Sequence, residues 1–283
     1  MLAASERAVA CASGGDDCGA TLRRVVDATF AHPRLAAVYD ALEGERKDLS
    51  VYAGIAEELH ARRVLDLGCG TGTFAVLLAA QGLEVVGVDP AAASLDVARE
   101  KTDSDLVRWV HGDATTLSAL EVDLATMTGN VAQAIVDPSA WRGTLSGIYE
   151  ALRPGGHLVF ETRNPAFRGW REWTPLRTHR VIDVEDVGPV ESWVELTDVS
   201  LPLVHFRWTY VFHRRGEALT SNSTLRFRER DEVESDLLAV GYEVRDIRDA
   251  PDRPERELVF IARRPCGTEA TARGGGPVRG IAP

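Results

Sequence analysis

Apolar and polar residues follow two different periods along this chain, and the change of period marks its organisation. Between 22 and 60, apolar positions recur at helical spacing in VVDATFAHPRLAAVYDAL and SVYAGIAEELHARR, with breaks near His32-Pro33 and Gly44. From 64 to 162, short apolar runs typical of buried strands alternate with helical segments. This alternation predicts a parallel sheet with helical crossovers.

The predicted elements of this core follow one another closely. After a strand that begins at Val64 and a glycine-rich loop, they are helix 73–81, strand 84–89, helix 91–101, strand 107–112, strand 122–127, helix 138–152 and strand 157–162. The turn Arg153-Pro-Gly-Gly is expected to close the last helix. A helix over 231–240 and strands over 242–249 and 257–264 complete a Rossmann-like, doubly wound α/β fold of seven strands.

The segment from 163 to about 230 departs from this alternation. It contains β-like stretches such as SWVELTDV, HFRWTYVFHR and SNSTLRFRE, which predict an inserted antiparallel subdomain. Alternation along one of these stretches puts four aromatic residues on a single face, and that face must cover something apolar. The four residues are Phe206, Trp208, Tyr210 and Phe212.

Composition sets the boundaries of this domain. Residues 1–21 and 265–283 are rich in small residues without periodicity, so both are predicted to be disordered tails around a domain at 22–264. A hydrophobic content of 45% suffices for a core, while a net charge of −11 makes nucleic acid a poor partner. No apolar run approaches a membrane span and no signal peptide is evident, which predicts a cytoplasmic protein.

The four cysteines carry little chemistry. Cys11, Cys18, Cys69 and Cys266 are too scattered for a disulfide framework, and no CxxC pair indicates a metal site. Cys69 lies inside the glycine loop, where a small residue packing under a tight turn is the favoured interpretation over a catalytic thiol.

The run VLDLGCGTGTF at 64–74 carries the strongest functional signal. Gly68, Gly70 and Gly72 follow a strand, where glycine allows positive φ angles and close approach of a ligand. Asp89 stands twenty-one residues after Gly68, at the end of VVGVD, where an acid can bind a ribose diol. The spacing is GxGxG rather than the GxGxxG of dinucleotide sites, and buried Asp66 would repel a pyrophosphate but accept an amino-acid ammonium. The pattern favours S-adenosylmethionine over NAD.

In this order, VLDLGCGTGTF, VVGVD, HGDA and LRPGGHLVFET resemble the motifs of the class I S-adenosylmethionine-dependent methyltransferases of small molecules. The resemblance covers roughly 61–162 and resumes over 231–264. It implies that the backbone at Gly68 and Gly70, with Cys69 between them, supports the methionine part of the cofactor. A further set of residues is implied to bind the rest of the cofactor, namely Asp89 at the ribose, Pro90, Asp113 and Ala114 at the adenine, and Thr128 on the other side.

The acceptor side is less clear, and no catalytic base can be named. Asn130 follows the fourth strand and could orient a polar acceptor, Tyr39 could close over the methyl donor, and Arg46 could meet its carboxylate. Each of these has an ordinary structural alternative in a turn or a core. The aromatic face with Trp208 is interpreted as a cap over a small-molecule acceptor, although the same sheet could form a dimer interface, so monomer and homodimer both stay open.

Two other function classes are alternatives to methyl transfer to a small molecule. A base-flipping nucleic-acid methyltransferase usually has Asp or Asn before Pro-Pro and an aromatic residue after the fourth strand, whereas this chain has TGNV at that place. A protein that binds S-adenosylmethionine without catalysis, as a regulatory or assembly subunit, is the alternative. The sequence therefore predicts transfer of a methyl group to N or O of a small organic acceptor.

Overall fold

The fold was analysed in a computed structural model, which describes residues 26–117 and 120–266. Its helices and strands in chain order are α1 (Ala28–Ala31), α2 (Pro33–Glu43), α3 (Leu49–Glu58), β1 (Arg63–Leu67), α4 (Thr73–Ala80), β2 (Glu84–Asp89), α5 (Ala92–Glu100), β3 (Val107–His111), β4 (Val122–Met127), α6 (Val131–Ala134), α7 (Pro138–Ala151), β5 (Leu152–Arg163), α8 (Pro175–Thr178), β6 (Arg180–Val184), β7 (Gly188–Ser200), β8 (Leu203–Phe212), β9 (Glu217–Arg226), α9 (Arg230–Val240), β10 (Glu243–Asp249) and β11 (Glu257–Arg263). The tail predicted at 1–21 and nearly all of the tail predicted at 265–283 lie outside the described residues.

The larger sheet has seven strands in the order β10-β11-β5-β4-β1-β2-β3. Strands β1 to β5 pair in parallel, and β11 is antiparallel to both β5 and β10. Since β1 lies between β2 and β4, the crossovers leave it in opposite directions, and this reversal of strand order is where ligands bind in such sheets. The predicted seven-stranded, doubly wound fold is confirmed.

Helices cover both faces of this sheet. On one face α7 and α9 bury residues such as Trp141, Leu145 and Leu237, and on the other α3 and α4 bury Ile55 and Leu78. Because both faces are covered, the central strands are mostly apolar on both sides, with exceptions such as Asp66 and Glu161, which is why they stood out in the sequence.

The inserted segment forms a second, antiparallel sheet in the order β6-β7-β8-β9, as predicted. Tyr210 and Phe212 of β8 pack against Leu35, Val38 and Leu42 of α2. The Tyr210 hydroxyl also lies 3.1 Å from the Thr29 hydroxyl on α1. This part of the aromatic face therefore covers the N-terminal helices of the same chain.

The turn predicted at Arg153-Pro-Gly-Gly requires a correction. These residues belong to β5, which starts at Leu152 directly after α7. Leu152 pairs with Val122 and His157 pairs with Leu124, so five steps along β5 match two along β4. Proline and glycine mark a bulge here, because the strand keeps its direction while the extra residues leave the pairing.

Candidate functional site

A cavity of about 320 Å³ lies beside the carboxyl ends of β1, β2 and β4. Most of its wall comes from the loop after β1, the ends of the neighbouring strands and the N-terminal helices, and Thr224 of the inserted sheet and Lys101 after α5 also line it. The lining residues are Val26, Asp27, Phe30, Tyr39, Asp40, Glu43, Gly44, Arg46, Leu49, Gly68, Cys69, Gly70, Thr71, Thr73, Phe74, Asp89, Pro90, Lys101, Thr128, Val131, Ala134 and Thr224. The volume is of the size that small-molecule sites have.

Two glycines shape the loop for different reasons. Gly68 has φ of +76°, and a Cβ there would lie 2.5 Å from Cγ2 of Val131, so this glycine is needed for packing within the protein. Gly70 has φ of +55°, and a Cβ there would meet no protein atom within 4 Å. Gly70 therefore leaves backbone exposed toward open space in the cavity wall, as close approach of a ligand requires.

Asp89 connects this loop to the end of β2. One carboxylate oxygen accepts a hydrogen bond from the Gly70 backbone N–H at 2.8 Å, and the other accepts one from the Ala91 N–H at 2.7 Å. The second bond is a local turn before α5 and does not cap the helix, and the side chain lines the cavity together with Pro90. Its binding of a ribose stays a prediction.

Asp66 lies beneath the loop with 1% of its surface exposed. Its Oδ1 accepts a hydrogen bond from the Thr126 hydroxyl at 3.0 Å, while Oδ2 has no hydrogen-bond partner among the described residues. Burial raises the pKa of the Asp66 carboxyl to about 7. A cationic ammonium nearby, reached directly or through water, would provide the missing donor and favour the ionised form.

Three other predicted cofactor residues, Cys69, Asp113 and Ala114, differ in their positions relative to the cavity. Burial raises the pKa of the Cys69 thiol well above its ordinary value, which fits packing under the turn. Asp113 accepts a hydrogen bond from the Thr115 N–H at 2.8 Å and so caps a short 3-10 turn, in which Ala114 is buried. Neither Asp113 nor Ala114 lines the cavity, and their contact with an adenine ring stays a prediction.

Two of the predicted acceptor-side residues do line the cavity. Arg46 makes a bidentate ion pair with Asp48, with a closest distance of 2.6 Å, and its hydrogen bond to Asp48 raises the pKa of the guanidinium. Burial raises the pKa of the Tyr39 hydroxyl, so Tyr39 stays neutral, and its ring packs on Phe30 with centroids 5.3 Å apart. Helix α2 and the segment that follows it thus place an aromatic ring and a fixed cation at the same wall.

The other two lie outside that wall. Trp208 stacks on Tyr210 within the inserted sheet, and Asn130 is buried behind Thr128 and Val131. Tyr210 and Phe212 therefore pack on α2, which lines the cavity, whereas Phe206 packs with Trp170 and Phe227 within the inserted segment. A role of Trp208 or Asn130 in binding an acceptor stays a prediction.

Several residues of this site were not found from the sequence. Asp40 and Lys101 line the cavity as an ion pair, and Thr71 donates to Asp40. Glu161 of β5 is buried behind the wall and holds the turn after β4 through the Asn130 N–H. An acid inside the apolar run LVFET was a usable signal for Glu161, whereas the ion pair had none, since its members are far apart in the chain.

Comparison with known proteins agrees with this geometry. Residues 64–156 match the family model of the methyltransferase domain. The cypemycin N-terminal methyltransferase of a Streptomyces species is 37% identical over 109 residues, which are 38% of this chain and 44% of that protein. The ubiquinone biosynthesis O-methyltransferase of Aromatoleum aromaticum is 32% identical over 117 residues, which are 40% and 48% of the two chains. The chain spans about half the length of the curated relatives it matches.

A solved structure extends the similarity to most of the chain. The CcbJ methyltransferase from Streptomyces caelestis superposes with a TM-score of 0.68 at 24% identity, covering 85% of this chain and 100% of that one. At this identity the match establishes the fold. Together with the matched domain, it confirms the resemblance drawn from the glycine loop and the later motifs.

Proposed function

We propose that this chain is a class I S-adenosylmethionine-dependent methyltransferase, which binds S-adenosylmethionine in the cavity beside the glycine loop and methylates N or O of a small organic acceptor. One observation carries the proposal: Gly70 and Asp89 are joined by a hydrogen bond in the wall of a single cavity, with the unpartnered Oδ2 of Asp66 beneath the same loop. The exposed backbone allows close approach of the donor, the acid at the end of β2 fits its ribose hydroxyls, and the buried acid fits its ammonium group.

The residues present divide the binding work. Asp66 would favour the donor's ammonium group, Arg46 its carboxylate, and Asp89 the ribose hydroxyls. When bound, S-adenosylmethionine supplies an electrophilic methyl group on a sulfonium. The chain's own contribution is to orient the two reactants and to keep water out, for which Tyr39 and Phe30 provide an apolar cover on the N-terminal side.

Transfer itself requires little acid–base chemistry. A lone pair of the acceptor N or O forms the bond to the methyl carbon, the carbon–sulfur bond breaks, and its electrons stay on sulfur. The proton of the acceptor leaves to solvent or to a nearby base. Orientation of the two reactants is therefore the main contribution of the chain to catalysis.

The nature of the acceptor rests on size, charge and the relatives. The cavity is small, and a chain with net charge −11 is poorly suited to nucleic acid. One relative is named an N-terminal methyltransferase and another an O-methyltransferase, so both atoms stay in the proposal. None of the described helices is long and apolar enough to cross a bilayer. A monomer or homodimer in the cytoplasm is our working proposal.

The test has two stages. Calorimetric titration should show binding of S-adenosylmethionine and no comparable binding of NAD, and tight NAD binding with no donor binding would overturn the assignment. The protein is then incubated with labelled donor and a panel of small amines, phenols and acids. Turnover on the panel supports the enzyme, whereas donor binding without turnover on any member would favour the catalytically silent alternative.

A further inference from the structure

Glu161 is a buried acid in the apolar strand β5, and it does not line the cavity. Only 2% of the surface of Glu161 is exposed, and its Oε1 accepts a hydrogen bond of 2.6 Å from the Asn130 backbone N–H. Gly129 and Asn130 both have positive φ, of 73° and 63°. A left-handed turn of two residues is strained at Asn130, so a contact that fixes its N–H has a direct effect on the turn.

This turn carries two residues of the cavity wall. Thr128 precedes it and Val131 follows it, and both line the cavity. Val131 also fills the space above Gly68, since a Cβ at Gly68 would lie 2.5 Å from its Cγ2. A shift of the Asn130 N–H away from Glu161 would therefore move Val131 against the glycine loop.

The chemistry of Glu161 argues against a role in packing alone. An apolar side chain of similar length would fill the same space without the desolvation of a carboxylate. Burial raises the pKa of Glu161 to about 7, and its Oε2 has no hydrogen-bond partner among the described residues. The hydroxyl of Tyr52 on α3 lowers the pKa of Glu161, but by less than burial raises it. Burial of the Glu161 carboxylate is therefore unfavourable, and the hydrogen bond that it accepts from the Asn130 N–H is its contact with the turn that carries the cavity wall.

We propose that Glu161 is a positioning residue for the donor pocket. By accepting the Asn130 N–H, it holds the turn after β4 so that Thr128 and Val131 form the wall against the glycine loop that the donor requires. The inference rests on the proposed binding of S-adenosylmethionine in this cavity. It adds a residue that does not touch the donor and acts through Asn130 and Val131.

The test compares variants that keep or remove the acceptor atom. Glu161→Gln keeps an oxygen that can accept the Asn130 N–H, and Glu161→Met keeps the length without an acceptor. Donor affinity, measured by calorimetry with S-adenosylmethionine, should fall at least about tenfold in Glu161→Met and stay within about threefold of wild type in Glu161→Gln. Glu161→Asp keeps a carboxylate but is too short to reach, so it should lose affinity like Glu161→Met and serves where Glu161→Met does not fold.

A matched control separates positioning from general stability. Tyr52→Phe removes the hydroxyl that lowers the pKa of the same carboxylate and leaves the Asn130 contact in place, so its donor affinity should equal that of wild type even if its melting temperature falls. Equal losses of affinity in Tyr52→Phe and Glu161→Asp would overturn the inference, as would wild-type affinity in Glu161→Asp. Failure of the wild-type protein to bind the donor would instead reject the proposed function.

Discussion

The carboxylate of Asp40 on α2 lies 2.6 Å from the ammonium of Lys101, which directly follows α5. The same carboxylate accepts a hydrogen bond of 2.5 Å from the Thr71 hydroxyl, and Lys101 donates one of 2.7 Å to the Thr73 hydroxyl. Asp40 thus connects the helix that covers the cavity to the glycine loop that forms its floor. We infer that these contacts hold α2 closed over the donor.

Removing the cation tests this contact. Lys101→Met should weaken binding of S-adenosylmethionine by about two- to fivefold, since a partly exposed ion pair contributes up to about 1 kcal/mol. The chain has one other lysine, Lys47, which pairs with Glu45 where both side chains are more than three-quarters exposed. Lys47→Met is therefore the matched control. If calorimetry finds the same affinity for S-adenosylmethionine in both variants, the Asp40–Lys101 ion pair does not hold α2 over the donor.

The two glycines of the loop should respond differently to alanine. Gly70→Ala meets no protein atom and should cost about 1–2 kcal/mol of stability from its positive φ, with a larger loss of donor affinity because the added carbon enters the cavity. Gly68→Ala meets Val131 as well and should lower the free energy of unfolding further. Denaturant titration checks both values. Adding Val131→Ala should recover part of the loss in Gly68→Ala and none in Gly70→Ala.

Asp66 predicts a pH dependence with a definite sign. Burial raises its pKa from 3.8 in the unfolded chain to about 7, so the folded protein retains the proton longer. The contribution to stability is full below pH 3.8 and is lost as pH rises through about 7. Between pH 5 and 8 the free energy of unfolding should therefore fall more steeply in wild type than in Asp66→Asn, as followed by urea titration.

The same group predicts proton release on donor binding. An ammonium beside Asp66 stabilises the carboxylate, so binding near pH 6.5 should release a proton in wild type and not in Asp66→Asn. Calorimetry in buffers with different ionisation enthalpies measures this number. An identical proton count in the two proteins would mean that the donor's ammonium lies elsewhere.

Asp89 is expected to be the most sensitive position for donor binding. Asp89→Ala removes the acceptor of the Gly70 and Ala91 N–H groups and the proposed ribose contact, so donor affinity should fall by at least about tenfold. Asp96→Ala on α5 is the control, because Asp96 is exposed and pairs with Arg99 on its own helix. Unchanged affinity in Asp89→Ala would contradict the ribose assignment.

The strands of the core were predicted well for a physical reason. The predicted bounds of β2 and β4 agree with the structure, at Glu84–Asp89 and Val122–Met127. Strands covered by helices on both faces are continuous apolar runs, and turns end them sharply. At Arg153-Pro-Gly-Gly the same reasoning failed, because proline and glycine mark a bulge as readily as a chain reversal.

The sequence by itself determined the fold class, the inserted sheet and the glycine loop proposed to bind the donor, because these depend on periodicity and on residues close together in the chain. Tertiary structure decided what closes the cavity. Asp40 meets Lys101, Glu161 meets the Asn130 N–H, and Tyr210 and Phe212 of the aromatic face meet α2. Such contacts join segments distant in sequence, and their geometry exists only once the strands are ordered and the helices packed on them.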